Sequence, residues 1–210
     1  MGHYVNLLAS TEEGGVEELF SAKNHLPDFW LGLLDAAALD GPLKQWNELA
    51  KLEATGDYEG LERFTDILPA PTNQYLSRNH LQRNLARTTQ LLERHYPGQW
   101  PLFQEFGRYL LAQLPSPDDG LELDLISLGN FTSYAEYLAS LHQQVAAFEA
   151  DAPLPWALPT ESALLVGVSY RPPDPAEYPL LHAATRPPSR PPAAPPARPG
   201  GWWRRLWGGR

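Results

Sequence analysis

The chain lacks cysteine altogether and contains one methionine. Without cysteine it forms no disulfide, has no thiolate nucleophile and holds no cysteine-ligated zinc. It also has no run of about 18 apolar residues, so we expect no transmembrane helix. The N-terminus lacks the charged and apolar segments of a secretory signal. Together these absences predict a cytoplasmic protein.

Lysine is scarce, with 3 residues against 13 arginines, and the charges are unevenly distributed. Residues Met1–Asp66 contain 4 basic and 13 acidic side chains, a net charge of −9. Residues Tyr178–Arg210 contain 6 arginines and no acid, a net charge of +6. Such an asymmetry concerns partners and solubility rather than fold. It predicts an acidic body that binds a basic partner.

The clearest structural signal lies between Leu121 and Tyr170. A set of apolar residues recurs there at steps of three and four, which places them on one face of an α-helix. These residues are Phe131, Tyr134, Leu138, Leu141, Val145 and Phe148. Ser133 followed by Glu136 predicts a capping box where this helix begins. The flanking runs Leu121–Leu128 and Ala163–Tyr170 predict two strands, which a right-handed helical crossover would make parallel. A buried helical turn is the alternative for such short runs.

The remainder of the body predicts one N-terminal strand and a series of helices. The strand is His3–Ala9. Between Val16 and Leu114, apolar residues at helical spacing are separated by proline and glycine, which predicts several helices. The first is a short helix at Val16–Phe20, and the longest spans Thr72–Tyr96. The predicted fold class is α/β, with α+β as the alternative. We expect a small mixed sheet of about three strands covered by a helical layer.

The composition changes after Arg171. Of the 22 prolines in the chain, 11 lie between Arg171 and Pro199. We therefore predict a globular domain over residues 1–171 and a disordered linker over residues 172–199. Residues 200–210 form a C-terminal motif of tryptophans and arginines flanked by glycines. Its residues predicted to bind a partner or a membrane are Trp202, Trp203, Arg204, Arg205, Leu206 and Trp207.

Four large apolar side chains on a tether require an explanation, because exposed apolar clusters lower solubility. One explanation is an anionic membrane surface, where tryptophan prefers the headgroup region and arginine meets the lipid charge. That would place the protein at the inner face of the membrane. A second is a groove on another protein. A third is the acidic body of the same chain, and the fourth is that the motif has no binding role.

A basic stripe follows one face of the predicted helix Thr72–Tyr96. It consists of His80, Arg83, Arg87 and Arg94. Such a stripe is a candidate for binding a phosphate, an acidic partner or nucleic acid. The alternative is a solvated face that pairs with acids of neighbouring helices. The net charge of −14 over residues 1–170, from 9 basic and 23 acidic residues, argues against nucleic acid.

No motif in the sequence predicts a reaction, a metal or a cofactor. The acidic cluster Asp118, Asp119, Glu122 and Asp124 departs from the spacing of a calcium loop and is typical of a turn. The histidines show no metal-ligand spacing; they are His3, His25, His80, His95, His142 and His182. Ser169 departs from the nucleophile motif G-x-S-x-G at its last position. We therefore predict neither a catalytic residue nor a bound metal.

The hypothesis favoured by these observations is a non-enzymatic binding protein. Its acidic helical body would recognise a partner protein, as bacterial immunity or adaptor proteins do, and its C-terminal motif would act as a tethered anchor. The first alternative is a membrane-peripheral protein attached through that motif. The second is an enzyme that uses scattered carboxylates and histidines. The sequence does not indicate an oligomeric state.

Overall fold

The computed structural model describes residues 3–10, 15–57, 59–60, 74–125 and 134–185. Within these ranges the fold is mixed α/β, with seven helices and a five-stranded sheet. The elements in chain order are β1 (Tyr4–Ser10), β2 (Val16–Lys23), α1 (Asp28–Leu31), α2 (Ala36–Thr55), β3 (Gln74–Ser77), α3 (Arg78–His95), α4 (Trp100–Ala112), β4 (Gly120–Asp124), α5 (Tyr134–Glu149), α6 (Ser162–Val166), β5 (Val168–Ser169) and α7 (Pro179–Thr185).

The sheet has the order β3-β4-β1-β2-β5, and every neighbouring pair is antiparallel. The register between β1 and β2 shifts at one point: Leu7 lies opposite Phe20, whereas Leu8 lies opposite Glu18. This bulge leaves Leu19 with no residue opposite it on β1. As a result Leu19 and Phe20 are both buried, although they are adjacent on one strand.

One face of the sheet packs on the helices. Val5, Leu7 and Ala9 of β1 alternate toward that face, as the two-residue period of a strand requires. They join a core that contains four phenylalanine rings from β2, α1 and α4. Phe106 on α4 lies within 5.4 Å of Phe20, 6.1 Å of Phe29 and 6.3 Å of Phe103, measured between ring centroids. The core thus joins the sheet to both helices.

The predicted parallel strand–helix–strand unit is wrong. Ser162–Val166 is a helix, the buried helical turn that the sequence allowed as the alternative, and only Val168–Ser169 forms a strand. The two strands β4 and β5 are separated in the sheet by β1 and β2. Gly167 adopts a positive φ of 82° between α6 and β5, which reverses the chain and prevents a long strand.

Two other predicted helical segments are strands. The segment predicted as a helix at Val16–Phe20 is β2, because pairing with β1 and burial of Phe20 outweigh its local helical pattern. The predicted helix at Thr72–Tyr96 begins later, at Arg78, after the strand Gln74–Ser77. These two strands raise the number from the predicted three, of which β5 is a short remnant, to five. The sheet is also wholly antiparallel rather than mixed.

The apolar face predicted for the helix of residues 131–148 is confirmed where the structure describes it. Leu138, Leu141, Val145 and Phe148 are all buried. Ser133 of the predicted capping box lies outside the described residues.

The folded body continues past Arg171, the boundary predicted from the sequence. Helix α7 packs on α4 and α6 and buries Leu181. Glu105 of α4 is itself buried, and its Oε2 accepts hydrogen bonds from the backbone N–H groups of Leu180 and Leu181 at 2.8 and 2.9 Å. This carboxylate therefore satisfies the first N–H groups of α7. Such a contact is invisible to a prediction based on local proline content.

Candidate partner-binding surface

The basic stripe lies on α3, where acids of the same chain pair with each member. His80, Arg83 and Arg87 all contact the carboxylate of Asp35; Arg83 Nη2 lies 3.2 Å from Oδ2, and Arg87 Nη1 lies 2.9 Å from Oδ1. Arg94 pairs with Asp151 at 2.5 Å. These contacts agree with the alternative that the sequence allowed, in which the stripe pairs with acids of neighbouring helices.

The adjacent positions of α3 hold the turn between α1 and α2. Thr88 Oγ1 donates to the carbonyl of Gly32 at 2.8 Å, and Asn84 Nδ2 donates to that of Leu33 at 2.8 Å. Arg87 Nη2 donates to the carbonyl of Leu34 at 2.7 Å. Three consecutive carbonyls after α1 thus receive side-chain donors from one helix. Arg87 therefore contacts both this turn and Asp35.

The environment of Asp35 changes its acidity. Burial alone would raise the pKa of its carboxyl group, but hydrogen bonds from His80 and Arg87, together with their charges, lower the pKa below its usual value. A lowered pKa in the folded state means that the ionised carboxylate stabilises the fold. That stability is present above the unfolded pKa of about 3.9 and is lost as the pH falls through the lower folded value.

We expect Asp35→Asn to destabilise the protein by about 1–3 kcal/mol at pH 7, because charged hydrogen bonds to His80 and Arg87 become neutral ones. Below pH about 4 the difference between variant and wild type should shrink, since Asp35 becomes protonated first in the unfolded chain and, at lower pH, in the folded protein as well. Urea unfolding at pH 7, 5, 4 and 3 measures both effects. A constant difference across this range would contradict the assignment.

Asp28 provides a control of opposite sign. Its carboxyl is half-buried beside Trp156, whose Nε1 donates to Oδ1 at 2.9 Å; burial raises its pKa, and the hydrogen bond and the charge of His25 lower it by less. A raised pKa contributes stability below pH about 3.9 that is lost as the pH rises through the folded value. Relative to wild type, Asp28→Asn should therefore gain stability as the pH rises above 4, whereas Asp35→Asn should lose stability as the pH rises toward 4 from below.

The acidic cluster and the histidines do not converge on a metal site in the described part of the chain. Asp119 is buried and its Oδ2 accepts from the N–H of Ser116 at 2.7 Å, which is turn chemistry. The ring nitrogens of His142 and His182 contact other groups of the body. His142 contacts Asp40 at 3.0 Å, and His182 Nδ1 lies 2.7 Å from the carbonyl of Pro173.

The face of the sheet opposite the helices is the candidate binding surface, and we call it the open face. It carries Tyr4, Leu8, Val16, Glu18, Tyr75, Glu122 and Val168. Exposed apolar or aromatic side chains are frequent on and beside it, with Tyr75 at 54% and Val16 at 63% exposure. The five such side chains are Tyr4, Val16, Tyr75, Val168 and, directly after β5, Tyr170. These side chains make the open face a candidate protein-binding surface.

A row of four side chains crosses the centre of the open face. Glu18 of β2 and Glu122 of β4 both lie opposite Leu8 of β1, and Tyr75 of β3 lies opposite Glu122. Strands are about 4.8 Å apart, so the row spans about 14 Å. The Asn6 amide, with its nitrogen toward Glu18, donates to Oε1 at 2.8 Å. Two carboxylates therefore flank an aliphatic side chain next to an aromatic ring.

The Tyr75 ring is held in place by the strand beneath it. A Cβ atom at Gly120 would lie 2.5 Å from Cζ of Tyr75, so the ring rests directly on this glycine. The Tyr75 hydroxyl donates to the carbonyl of Asp118 at 3.2 Å. Glycine at position 120 thus allows the ring to lie against the backbone, while its outer side remains exposed. A ring fixed in this way loses little entropy when a partner packs on it.

Sequence reasoning missed this surface because the predicted helices Thr72–Tyr96 and Val16–Phe20 included Tyr75 and Val16. The one available signal was the strand prediction at His3–Ala9, in which Tyr4 and Leu8 alternate with the buried residues. Pairing with β2 and β4, which only the fold brings together, completes the surface. The predicted C-terminal site residues Trp202, Trp203, Arg204, Arg205, Leu206 and Trp207 lie outside the described residues.

Two clefts lie on the helical side of the body. One, of about 590 Å³, separates α3 from α4 and is lined by Leu85, Pro101 and Leu111 with Gln82 and Arg108. The other, of about 610 Å³, lies beside α7. Among the described residues that line them, neither cleft brings together acid, base and nucleophile in the way a catalytic site requires.

No protein family, characterised protein or solved structure shows significant similarity to this chain. Among the residues that the structure describes, no helix is both long and apolar enough to cross a membrane.

Proposed function

We propose that this protein is a non-enzymatic binding protein whose acidic body recognises a basic partner protein through the open face. The observation that carries the proposal is the row Glu18–Leu8–Glu122–Tyr75, in which two carboxylates alternate with apolar groups on an exposed sheet. Carboxylates select a basic partner and accelerate association, while the apolar groups supply contact area.

The charge of the whole body supports the same partner class. Residues Met1–Thr185 contain 10 basic and 25 acidic side chains, a net charge of −15. Arg83, Arg87 and Arg94 of α3 form ion pairs with Asp35, Glu149 and Asp151 within the fold. The role therefore resembles that of immunity or adaptor proteins. The C-terminal motif acts as a second, tethered attachment element.

The test is capture of partner proteins from a lysate of the source cells by the full-length chain and by Glu18→Lys/Glu122→Lys. We expect a basic protein to be captured by the wild type and its retention to fall about tenfold or more in the variant, because charge pairs become repulsions. The matched control is Glu48→Lys/Glu53→Lys, which makes the same charge change on exposed positions of α2.

Equal capture by wild type and both variants would refute the proposed surface. Loss of capture in both variants would assign recognition to net charge rather than to the open face. Circular dichroism and thermal unfolding of each variant show whether the fold is intact, which is expected because Glu48 and Glu53 are exposed and Glu18 and Glu122 are half-buried on the open face rather than in the core.

A further inference from the structure

We infer that in the free protein the open face is occupied by the C-terminal motif of the same chain, residues 200–210. The surface and the motif are complementary in charge and in residue type. The surface carries Glu18 and Glu122 around Leu8 and beside Tyr75. The motif carries arginine next to tryptophan. The inference rests on the proposed function only in using the same surface.

Charge favours this docking strongly. Residues 186–210 contain six arginines and no acid, a net charge of +6, against −15 for Met1–Thr185. Arginine pairs with carboxylates through a planar fork of donors, and its plane also stacks on aromatic rings. Arg204 and Arg205 therefore match Glu18 and Glu122, while a tryptophan ring matches the exposed side of Tyr75.

The dimensions also agree. The row of four side chains spans about 14 Å across the strands, and the six residues Trp202–Trp207 cover up to about 17 Å. The described body ends at Thr185 in α7, and 16 residues lie between it and Trp202. A segment of that length reaches up to about 50 Å. A body of this length has a radius of gyration of about 16 Å, so the motif reaches around the sheet edge to the open face.

Attachment to the same chain makes even weak contacts sufficient. A ligand on a short tether experiences an effective concentration in the millimolar range, so an intrinsic affinity of that order fills the site. Docking also removes three tryptophans and the exposed side of Tyr75 from water, which accounts for both apolar surfaces at once. A basic partner would then gain access to the open face by displacing the motif.

The absence of cysteine makes a direct test simple. A single cysteine introduced as Gly209→Cys in the full-length chain carries a nitroxide, which broadens amide NMR signals near it. We expect signal loss at Leu8, Glu18, Tyr75 and Glu122, and none at Lys51 near the end of α2. Signal loss should disappear in Trp202→Ala/Trp203→Ala/Trp207→Ala and in Glu18→Lys/Glu122→Lys, and persist in Glu48→Lys/Glu53→Lys.

Signal loss that is absent, or spread evenly over the body, would overturn the inference. Mixing nitroxide-labelled chain with unlabelled isotope-enriched chain tests a second copy as the occupant, and signal loss confined to the mixture would also overturn it. The outcome is separable from that of the proposed function. A chain that docks its motif but captures no basic partner refutes the proposed function alone, and capture without docking refutes this inference alone.

Discussion

Phe106→Ala should lower the free energy of unfolding by about 3–5 kcal/mol, the largest of the losses that we predict. Phe106 is fully buried on α4 and contacts the rings of Phe20, Phe29 and Phe103. Removing its ring leaves a cavity at the point where β2, α1 and α4 meet, and also removes aromatic contacts worth about 0.5–1.5 kcal/mol each. Chemical denaturation at pH 7 measures the loss.

Two variants separate burial from other effects. Phe106→Leu keeps most of the apolar volume, so it should lower the free energy of unfolding by less than about 1.5–2 kcal/mol. Tyr170→Ala removes an aromatic ring that is 56% exposed, and should change stability by no more than about 0.5 kcal/mol. Losses of similar size in all three variants would show that the ring cluster does not form the centre of the core.

Arg87→Ala should destabilise the protein by about 2–4 kcal/mol, the second large effect. Its guanidinium is 27% exposed and joins Asp35, Glu149 and the carbonyl of Leu34. Breaking a fully buried pair costs about 3–5 kcal/mol because a charge is left without its partner, and partial exposure reduces that cost here. Two carboxylates would lose a shared cation. Urea unfolding at pH 7 measures the effect.

Arg94 on the same helix provides the matched control, because its side chain is 58% exposed and its partner Asp151 is 56% exposed. Arg94→Ala should cost no more than about 1 kcal/mol, as exposed pairs contribute little. Arg87→Lys should destabilise the protein by more than Arg94→Ala and by less than Arg87→Ala, since lysine keeps the charge but lacks the planar fork of donors. Equal losses of stability for Arg87→Ala and Arg94→Ala would contradict this prediction. They would mean that the basic stripe is a uniform, solvated surface.

Local spacing predicted the helices well where one side is apolar and the other polar. Leu138, Leu141, Val145 and Phe148 are buried at steps of three and four, because those steps keep side chains on one face of a helix. Gly56 ends α2 with a positive φ of 66°, as expected for a glycine after a helix. Helix type and burial were predictable because both depend on residues close together in the chain.

Short segments were predictable only in part, because their conformation is decided by distant partners. Val16–Phe20 has a helical pattern, yet ladder hydrogen bonds to β1 make it a strand. Ala163–Val166 is apolar on all sides, which suits either a strand or a buried helix. Nothing in the residues around Gly167 indicated that its backbone would pass close to the carbonyl of Ser21, where a Cβ atom would lie 2.7 Å away.

The sequence by itself determined the charge layout, the absence of thiol chemistry and the apolar faces of the long helices, because these are properties of residue type and near spacing. Only the tertiary structure decided which groups the basic stripe contacts. Asp35 lies 52 positions before Arg87, and Glu149 lies 62 after it, so their pairing follows from helix packing. The open face is decided in the same way. Glu18, Leu8, Glu122 and Tyr75 come from four separate strands, and only strand register aligns them in one row.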